Sequence, residues 1–278
     1  MAAFKPSGII TLTTDFGLAD PFVGVMKGSI LSRFPGARIV DLTHAIPLHE
    51  PRVAGFWISR CFEYFPPGTV HVAVVDPGVG TDRAILCLTA RGHALLGPDN
   101  GLLELARTRD PDSQTVRLAA SALAQLGIHR VSSTFHGRDI FAPVAAELAA
   151  GRRAPEGLGA REPSPASGAV GPTRAETGPI SGSVVTIDHF GNLITDIEAA
   201  RLERMAAPRV AIAGRSLRLT RTYGETRRGE LLALVNSFDV LEVAQAQGSA
   251  AAALGAERGT VVTVEDGPED LLGGGNRL

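Results

Sequence analysis

The sequence predicts an α/β protein: an N-terminal, mostly parallel sheet with helices on both faces, plus a smaller C-terminal β-barrel-like domain. Three observations support this fold class. Over residues 1–150, short apolar runs alternate with helical patterns, which indicates parallel strands joined by helices. Residues 151–180 are rich in Gly, Pro, Ala and Ser and predict a linker between domains. Over residues 181–278, short strands separated by turn residues predominate, as in a compact barrel.

The N-terminal elements follow in order along the chain. "GIITLTT" predicts a strand that ends at Asp15, and "DPFVGVMKGSILSRFPG" predicts a helix with Asp20 as its N-cap and Pro21 at its first position. "ARIVDLT" predicts a second strand, "EPRVAGFWISRCFEYF" a second helix and "TVHVAVVD" a third strand. "RAILCLTA" and "HALLGPDNG" predict a hairpin, "GLLELART" a short helix and "HGRDIFAPVAAELAAG" a closing helix.

The C-terminal half contains mainly strand patterns and one Ala-rich helix. The predicted strands are "SGSVVTID", "NLITDI", "RVAIAG", "RSLRLTRTY", "LLALVNS" and "TVVTVED".

Composition restricts the functional classes. The net charge of −2 gives no electrostatic reason to expect nucleic acid or an anionic membrane as a partner. The two cysteines, Cys61 and Cys87, lie in apolar runs without a CxxC spacing, which is typical of reduced thiols in a cytosolic protein. The sequence shows no signal-peptide pattern and no run of about 18 apolar residues. We therefore expect a soluble, cytoplasmic protein.

Carboxylates follow several predicted strands. Asp15, Asp41 and Asp76 each stand at the carboxyl end of a strand, where open α/β sheets bind ligands. Each alone is equally compatible with a helix cap or a turn, but together they favour a site. No GxGxxG opens the first helix and no GxxxxGK[ST] occurs, so nucleotide phosphates are not the expected ligand.

Two further segments carry polar groups. In "VVDPGVGTDR", Arg83 follows Asp76 by seven positions across a Gly-rich loop, and a simple salt bridge is one interpretation. In "TFHGRDIFAP", His136 precedes a helix start, where a capping or surface role is common. The chain has no HExxH, no HxH and no clustered Cys/His spacing, so no metal site is expected.

The C-terminal domain offers two strand–turn–strand segments, "IDHFGNLITDI" and "LVNSFDVLEVAQAQGSA". Asp188 and Asn192 flank a Phe-Gly turn in the first, and Asn236 and Ser237 end a strand in the second. Asn, Asp, Gly and Ser are ordinary turn residues, so hairpin chemistry alone accounts for each segment taken singly.

Taken together, six motifs stand in the order seen in one family. "TTDFGLADPFVGVMKG", "VVDPGVGTDR", "GPDNGLL", "TFHGRDIFAP", "IDHFGNLIT" and "NSFDVLEVA" resemble the S-adenosylmethionine (SAM) hydroxide adenosyltransferases, the SAM hydrolases related to fluorinase and chlorinase. The resemblance covers about residues 8 to 265 apart from the linker. It implies an α/β domain followed by a smaller β domain, and a homotrimer that binds SAM between the N-terminal domain of one subunit and the C-terminal domain of its neighbour.

The resemblance also implies roles for individual residues. It implies a catalytic triad of Asp76, Arg83 and His136, a ribose contact at Asp15, a methionine or ribose contact at Asp20, an adenine contact at Asn192, an ammonium contact at Asp188 and a carboxylate contact at Ser237. One departure concerns the last contact. The family commonly has Gly-Tyr after "NSF", where this chain has Asp239 and Val240, and fluorinase has an Arg where this chain has Phe238.

The function implied is hydrolysis of SAM to adenosine and L-methionine by attack of water or hydroxide at the ribose C5′, with no cofactor. The sulfonium leaves as neutral methionine and needs no acid, so the chemistry lies in activating water. Arg83 stays protonated and is expected to stabilise hydroxide, while Asp76 holds it and, with His136, accepts or relays the proton. A halide-dependent adenosyl transferase and a non-catalytic SAM- or adenosine-binding protein are the alternatives.

Overall fold

The computed structural model describes residues 4–166 and 178–267. It divides the chain into two compact units, Met1–Val170 and Gly171–Leu278. Among the described residues, no helix combines the length and the apolar character needed to cross a bilayer.

The N-terminal unit is built on a seven-stranded sheet. Its strands are β1 (Ile9–Thr14), β2 (Arg38–Thr43), β3 (Val70–Val74), β4 (Ile85–Ala90), β5 (His93–Pro98), β6 (Gln114–Leu118) and β7 (Gly159–Arg161), in the spatial order β2-β1-β3-β5-β4-β6-β7. The pairs β1–β2, β1–β3 and β3–β5 are parallel, whereas β4 and β7 run against their neighbours. Strands β2, β1, β3, β5 and β6 therefore share one direction, which confirms the mostly parallel sheet.

Helices cover both faces of this sheet, as predicted. They are α1 (Phe22–Arg33), α2 (Pro51–Cys61), α3 (Glu104–Thr108), α4 (Ala120–Gln125) and α5 (Ala142–Ala149). Along β3, Val72 packs in a core with α1 and α5, while the next residue, Ala73, packs in a second core with α2 and α3. Successive residues of a strand point to opposite faces, so the two cores lie on opposite sides of the sheet.

The order of the first three strands creates a crevice. The chain passes from β1 to β2 on one side and then returns to place β3 on the other side of β1. At such a reversal of strand order, the connections leave in opposite directions and open a crevice at the carboxyl ends of the two strands. Asp15 follows β1 directly, and Asp76 follows β3 after one intervening residue, so this topology sets both carboxylates at the crevice.

The prediction that Asp20 caps the first helix is wrong. Helix α1 begins at Phe22, Pro21 occupies the N-cap position, and no side chain in the described part of the chain caps it. The carbonyl of Pro21 accepts the first helical hydrogen bond, from the Val25 amide at 2.9 Å. Because the helix starts one residue later than expected, Asp20 lies outside the position from which a carboxylate reaches the free amides of the first turn.

The predicted linker is also partly structured. Residues Pro155–Leu158 form a 3-10 turn, and β7 then adds to the edge of the sheet beside β6. Pro155 and Leu158 are buried in this segment, and Gly159 lies so close to the Arg117 carbonyl that a Cβ would overlap it. The Gly and Pro residues that suggested a linker therefore lie, in part, in the segment where β7 pairs closely with β6 at the edge of the sheet. Residues 167–177 of the predicted linker lie outside the described residues.

The C-terminal unit is a closed barrel, which confirms the predicted β-barrel-like domain. Its strands are β8 (Ile180–Ile187), β9 (Leu193–Glu198), β10 (Pro208–Ile212), β11 (Arg215–Thr220), β12 (Leu231–Val235), β13 (Val240–Gln245) and β14 (Val261–Asp266), in the order β10-β11-β12-β13-β9-β8-β14. Two short helices, α6 (Ala199–Leu202) and α7 (Ala250–Leu254), complete it. Alternate strand residues such as Val210, Val243 and Val262 fill the interior.

Candidate active site

A cavity of about 290 Å³ opens in the N-terminal unit at the crevice between β1 and β3. Its lining combines polar groups with aromatic and aliphatic side chains, as is typical of small-molecule sites. The lining residues are Asp15, Phe16, Phe22, Leu48, His49, Val74, Asp76, Val79, Thr134, Phe135, His136 and Gly137. The structure thus brings three of the predicted site residues, Asp15, Asp76 and His136, to one cavity.

Arg83 joins the other two members of the predicted triad. Its Nε donates to Oδ1 of Asp76 at 2.7 Å, and its Nη2 donates to Oδ2 of the same carboxylate. The same Nη2 lies 2.8 Å from Nδ1 of His136. The Asp76 and Arg83 side chains are only 4% and 9% exposed, so this bidentate pair is shielded from water. One guanidinium therefore fixes a carboxylate and an imidazole relative to each other.

Burial and the contact with Arg83 together determine the protonation of His136. Burial and then the Arg83 charge lower the pKa of His136, and Asp76 and Asp139 oppose them without reversing the shift. The imidazole is therefore neutral at pH 7. Because a guanidinium only donates hydrogen bonds, Nδ1 must accept, and the ring proton is on Nε2. In this arrangement Nε2–H is a hydrogen-bond donor and Nδ1 is already occupied by Arg83.

Two close contacts between loops hold this geometry. Gly80, in the loop between Asp76 and Arg83, has a φ of +81°, and a Cβ there would overlap the carbonyl oxygen of Ser133. That approach brings the segment leading to His136 against the Arg83 loop. On the other side, the Asn100 side chain donates to the Val75 carbonyl at 2.9 Å, which fixes the end of β3 immediately before Asp76.

Asp15 is held at the cavity from the opposite loop. Its Oδ2 accepts a hydrogen bond of 3.0 Å from the backbone amide of His49. His49 adopts a left-handed φ of 62°, a conformation that is strained for a residue with a Cβ. Both residues line the cavity. No motif in the sequence pointed to His49, because its contribution depends on backbone geometry rather than on residue type.

Three phenylalanines form an aromatic cluster at the cavity. Phe22 packs edge-to-face against Phe16 and Phe135, with ring centroids 6.1 and 5.4 Å away, and Phe16 and Phe135 are 6.0 Å apart. Phe22 remains 46% exposed and the neighbouring Leu48 70% exposed. The cavity is therefore polar at Asp15 and the Asp76 loop and apolar along its rim.

Two other carboxylates of this region lie apart from the cavity lining. Asp20 is exposed in the turn before α1 and is not among the lining residues. The prediction that Asp41 stands at the carboxyl end of its strand is wrong: Asp41 lies within β2, in register with Leu12 of β1 and two residues before the end of the strand. It accepts from Lys27 Nζ at 2.6 Å and lies 3.1 Å from Nε2 of His44, so its place in the strand and its partners keep it away from the cavity.

In the C-terminal unit, Asp188 and Asn192 share one turn. Oδ1 of Asp188 accepts from the amides of Phe190 and Asn192, and Oδ2 accepts from the Asn192 side chain, each at 2.9 Å. Both residues thus stabilise the turn that joins β8 and β9, in agreement with the interpretation of this segment as an ordinary hairpin. Ser237 lies exposed in the turn between β12 and β13, where Asp239 has a left-handed φ of 58°.

Comparison with known proteins identifies the family. The model of the SAM hydroxide adenosyltransferase N-terminal domain matches residues 10–159, and the model of the C-terminal domain matches residues 182–263. This chain belongs to the SAM hydroxide adenosyltransferase family.

Individual relatives agree with that membership. The (R)-S-adenosyl-L-methionine hydrolase of Thermus thermophilus is 41% identical over 253 residues, which cover 90% of this chain and 96% of the relative. The enzyme of the same name from Salinispora arenicola is 38% identical and covers 93% of this chain and 98% of its own length. A fluorinase of an Actinoplanes species is more distant, at 27% identity, covering 70% of this chain and 74% of its own length.

Solved structures share the architecture. A conserved protein of Thermotoga maritima superposes with a TM-score of 0.83 at 31% identity, covering 92% of this chain and 99% of its own. A conserved protein of Thermus thermophilus superposes with a TM-score of 0.74 at 38% identity, with the same coverage.

The C-terminal unit of this SAM hydroxide adenosyltransferase holds a polar cluster that the sequence did not reveal. Glu242 on β13 is 3% exposed and accepts from the Tyr223 hydroxyl at 2.5 Å and from the Asn236 side chain at 3.2 Å. Burial and the nearby Asp188 charge raise its pKa, against the hydrogen bonds that lower it. Burial, the hydrogen bond to Glu242 and the charges of Glu242 and Asp188 raise the pKa of Tyr223. Asp188 thus belongs to a wider acidic neighbourhood.

Within residues 4–166 and 178–267, no group of three or more His, Cys, Asp or Glu side chains is arranged to hold a metal ion. The buried His71 instead lies beside His93, with Nε2 of His71 3.2 Å from Nδ1 of His93.

Proposed function

We propose that this chain hydrolyses S-adenosyl-L-methionine to adenosine and L-methionine. The observation that carries the proposal is the shielded Asp76–Arg83–His136 cluster beside the cavity of a SAM hydroxide adenosyltransferase. In the reaction, the oxygen of water bonds to the ribose C5′ while the C5′–S bond breaks and its electron pair stays on sulfur. SAM and water therefore give adenosine, methionine and one proton.

Activating the water is the difficult step, since its pKa is about 15.7. Arg83 cannot remove the proton, but its buried positive charge stabilises hydroxide as it develops, and a buried charge acts more strongly than one in water. Asp76 holds the guanidinium on both oxygens and is the candidate proton acceptor. His136, neutral and donating through Nε2, orients the water or its product oxygen.

For substrate binding, we assign the ribose hydroxyls to Asp15, whose carboxylate the His49 amide already orients at the cavity. Asp20 remains a proposed contact to methionine or ribose. Asn192, Asp188 and Ser237 are the proposed contacts to adenine, ammonium and carboxylate. The acidic neighbourhood of Asp188, Glu242 and Tyr223 supports binding of a cation such as the substrate ammonium.

The proposed assembly is a homotrimer in the cytoplasm, whose site combines the N-terminal unit of one subunit with the C-terminal unit of a neighbour. The exposed apolar rim at Phe22 and Leu48 supports this assembly, because a neighbouring surface would remove these side chains from water.

The decisive experiment incubates the purified protein with SAM and separates the nucleosides by chromatography and mass spectrometry. Adenosine that depends on the protein supports hydrolysis, and its absence contradicts it. Because relatives are named (R)-S-adenosyl-L-methionine hydrolases, both sulfonium epimers are supplied separately, and we expect faster turnover of the (R) epimer.

Two added arms separate the alternatives. With excess fluoride or chloride, a halide-dependent transferase would give mainly 5′-halogenated adenosine, whereas the proposed hydrolase gives adenosine. With exhaustive EDTA, adenosine formation should be unchanged, because the proposed mechanism uses no metal or other cofactor. A protein that binds SAM but forms neither product would be a binding protein.

A further inference from the structure

A second set of buried, hydrogen-bonded polar groups begins at Thr14, the residue before Asp15. The two side chains of this set do not line the cavity. The hydroxyl of Thr14, the last residue of β1, lies 2.8 Å from Nδ1 of His44, and both residues are buried. The same Thr14 Oγ1 accepts a hydrogen bond of 3.2 Å from the backbone amide of Phe16. Hydrogen bonds thus connect the buried imidazole of His44, through the Thr14 hydroxyl, to the backbone amide of Phe16, which lines the cavity.

The Thr14 hydroxyl joins two groups: it accepts from the Phe16 amide and shares a hydrogen bond with Nδ1 of His44. On the other side of the imidazole, Nε2 of His44 lies 3.1 Å from Oδ1 of Asp41. Burial alone would raise the pKa of Asp41, but hydrogen bonds and charges from Lys27 and His44 lower it, so Asp41 is ionised at neutral pH.

The same two residues also tie together the backbones on both sides of Asp15. The Gly17 amide donates to the His44 carbonyl at 2.9 Å, and the Ile46 amide donates to the Thr14 carbonyl at 3.3 Å. The β1 loop, which carries Asp15 and Phe16, is thereby joined to the loop after β2, which carries Leu48 and His49. All four of those residues line the cavity.

We propose that Thr14 and His44 are positioning residues for substrate binding: their buried hydroxyl–imidazole contact sets the place of Asp15 and Phe16 at the cavity. They touch neither the cavity nor the Asp76–Arg83–His136 cluster, so they act on binding rather than on the chemical step. The inference rests on the proposed function, since the substrate is the one proposed for that cavity.

The chain offers a matched control on the same strand. Thr11 Oγ1 lies 2.8 Å from Nδ1 of His71, and both residues are buried, as in the Thr14–His44 pair. Thr11 lies three residues earlier in β1 and does not line the cavity. A Thr→Val change at either position removes one buried hydroxyl and leaves the side-chain shape, but only the change at Thr14 removes a contact that holds the lining.

The test compares the kinetics of Thr14→Val, Thr14→Ser and Thr11→Val in the full chain. Loss of both hydrogen bonds of the Thr14 hydroxyl should raise the KM of Thr14→Val about fivefold to tenfold, with kcat within about twofold of wild type. Thr14→Ser keeps the hydroxyl and should have the KM of the wild type. Thr11→Val should lower the melting temperature without changing KM. Equal KM values for Thr14→Val and wild type, or equal increases in both valine variants, would overturn the inference.

A second measurement does not depend on activity. Amide hydrogen exchange of Phe16 and Gly17, followed by NMR, should accelerate in Thr14→Val and stay at the wild-type rate in Thr11→Val and Thr14→Ser. If Thr14→Val does not fold, His44→Gln, which alters the same contact from its other side, takes its place. Unchanged exchange in the folded variant would refute the positioning role. A wild-type protein that forms no adenosine would refute the proposed function, and the exchange rates would still decide the role of Thr14.

Discussion

Arg83 is the residue on which the proposed chemistry depends most directly. Its guanidinium contacts both Asp76 and His136, and in the proposed mechanism its charge acts on hydroxide rather than on the cationic substrate. We therefore expect Arg83→Ala to lower kcat by about 10²- to 10⁴-fold, with a much smaller change in KM. Arg83→Lys should recover only part of the rate, because an ammonium cannot reproduce the planar fork. Single-turnover rates measure the loss in Arg83→Ala and the partial recovery in Arg83→Lys.

A matched pair separates catalysis from stability at this position. Arg107 also binds a carboxylate through two nitrogens, donating to Glu104 at 3.1 and 2.7 Å, but on α3. Arg107→Ala should leave turnover unchanged, whereas a salt bridge that is only structural would give the two alanine variants similar, near-normal rates. Melting temperatures of the same preparations confirm that each variant is folded.

At the scale of elements, Gly80 sets the distance between the Arg83 loop and the segment that leads to His136. Gly80→Ala adds both strain at positive φ and a steric overlap with Ser133. Gly229 has nearly the same φ, +83°, and no atom of the described residues lies within 4 Å of an added Cβ, so Gly229→Ala adds the strain alone. We expect Gly80→Ala to lower turnover and to lower stability more than Gly229→Ala does. Gly229→Ala should keep wild-type turnover. Comparable losses of stability and turnover in both would show that the loop contact is unimportant.

The pairing of β1, β3 and β5 buries two histidines away from the cavity. Burial, with a smaller contribution from the neighbouring His93, lowers the pKa of His71 to about 3, and burial lowers that of His93. In the unfolded chain a histidine titrates near about 6.5. Below that pH the unfolded chain binds a proton that the folded chain excludes, so stability falls as pH decreases from about 6.5 toward 3.

The expected slope is about 1.4 kcal/mol per pH unit for each proton taken up on unfolding. Urea denaturation between pH 4.5 and 7 measures it, and carboxylates contribute equally to wild type and variant. His71→Gln should be less stable at pH 7 but should lose stability less steeply as the pH falls. If the stability of wild type and of His71→Gln changed with pH in parallel, the pKa of His71 would be the same in the folded and the unfolded chain.

The elements around the site follow from the sequence to different extents. The apolar runs ending at Asp15 and Asp76 predicted β1 and β3, because short β-branched apolar runs bounded by turn residues are typical of buried strands. Strand β7 was missed because its Gly-rich pairing has no apolar alternation. His44, His49 and Gly80 were missed for another reason: each acts through a contact with a residue remote in the chain, which only the folded backbone brings close. The roles proposed for Asp76, Arg83 and His136 stay predictions, although their geometry is now described.

At the scale of the whole molecule, the two units divide the proposed work. The N-terminal unit holds the water-activating cluster and Asp15, and the C-terminal barrel holds Asp188 and its turn. If each site combines the two units from neighbouring subunits of a trimer, the chain should sediment as a trimer. A monomer that retains full activity at the same concentration would contradict this assembly.

Mixing two inactive variants tests the shared site directly. Asp76→Ala inactivates the N-terminal half of a site and Asp188→Ala the C-terminal half. After the chains are unfolded, mixed in equal amounts and refolded, random assembly gives both wild-type halves at about one site in four. We therefore expect recovery to about a quarter of wild-type activity. The control mixes Asp76→Ala with Arg83→Ala, which damage the same half of the site, so no random arrangement restores an intact one. No recovery in the first mixture, with mixed trimers demonstrated by native mass spectrometry, would place both halves of each site within a single chain.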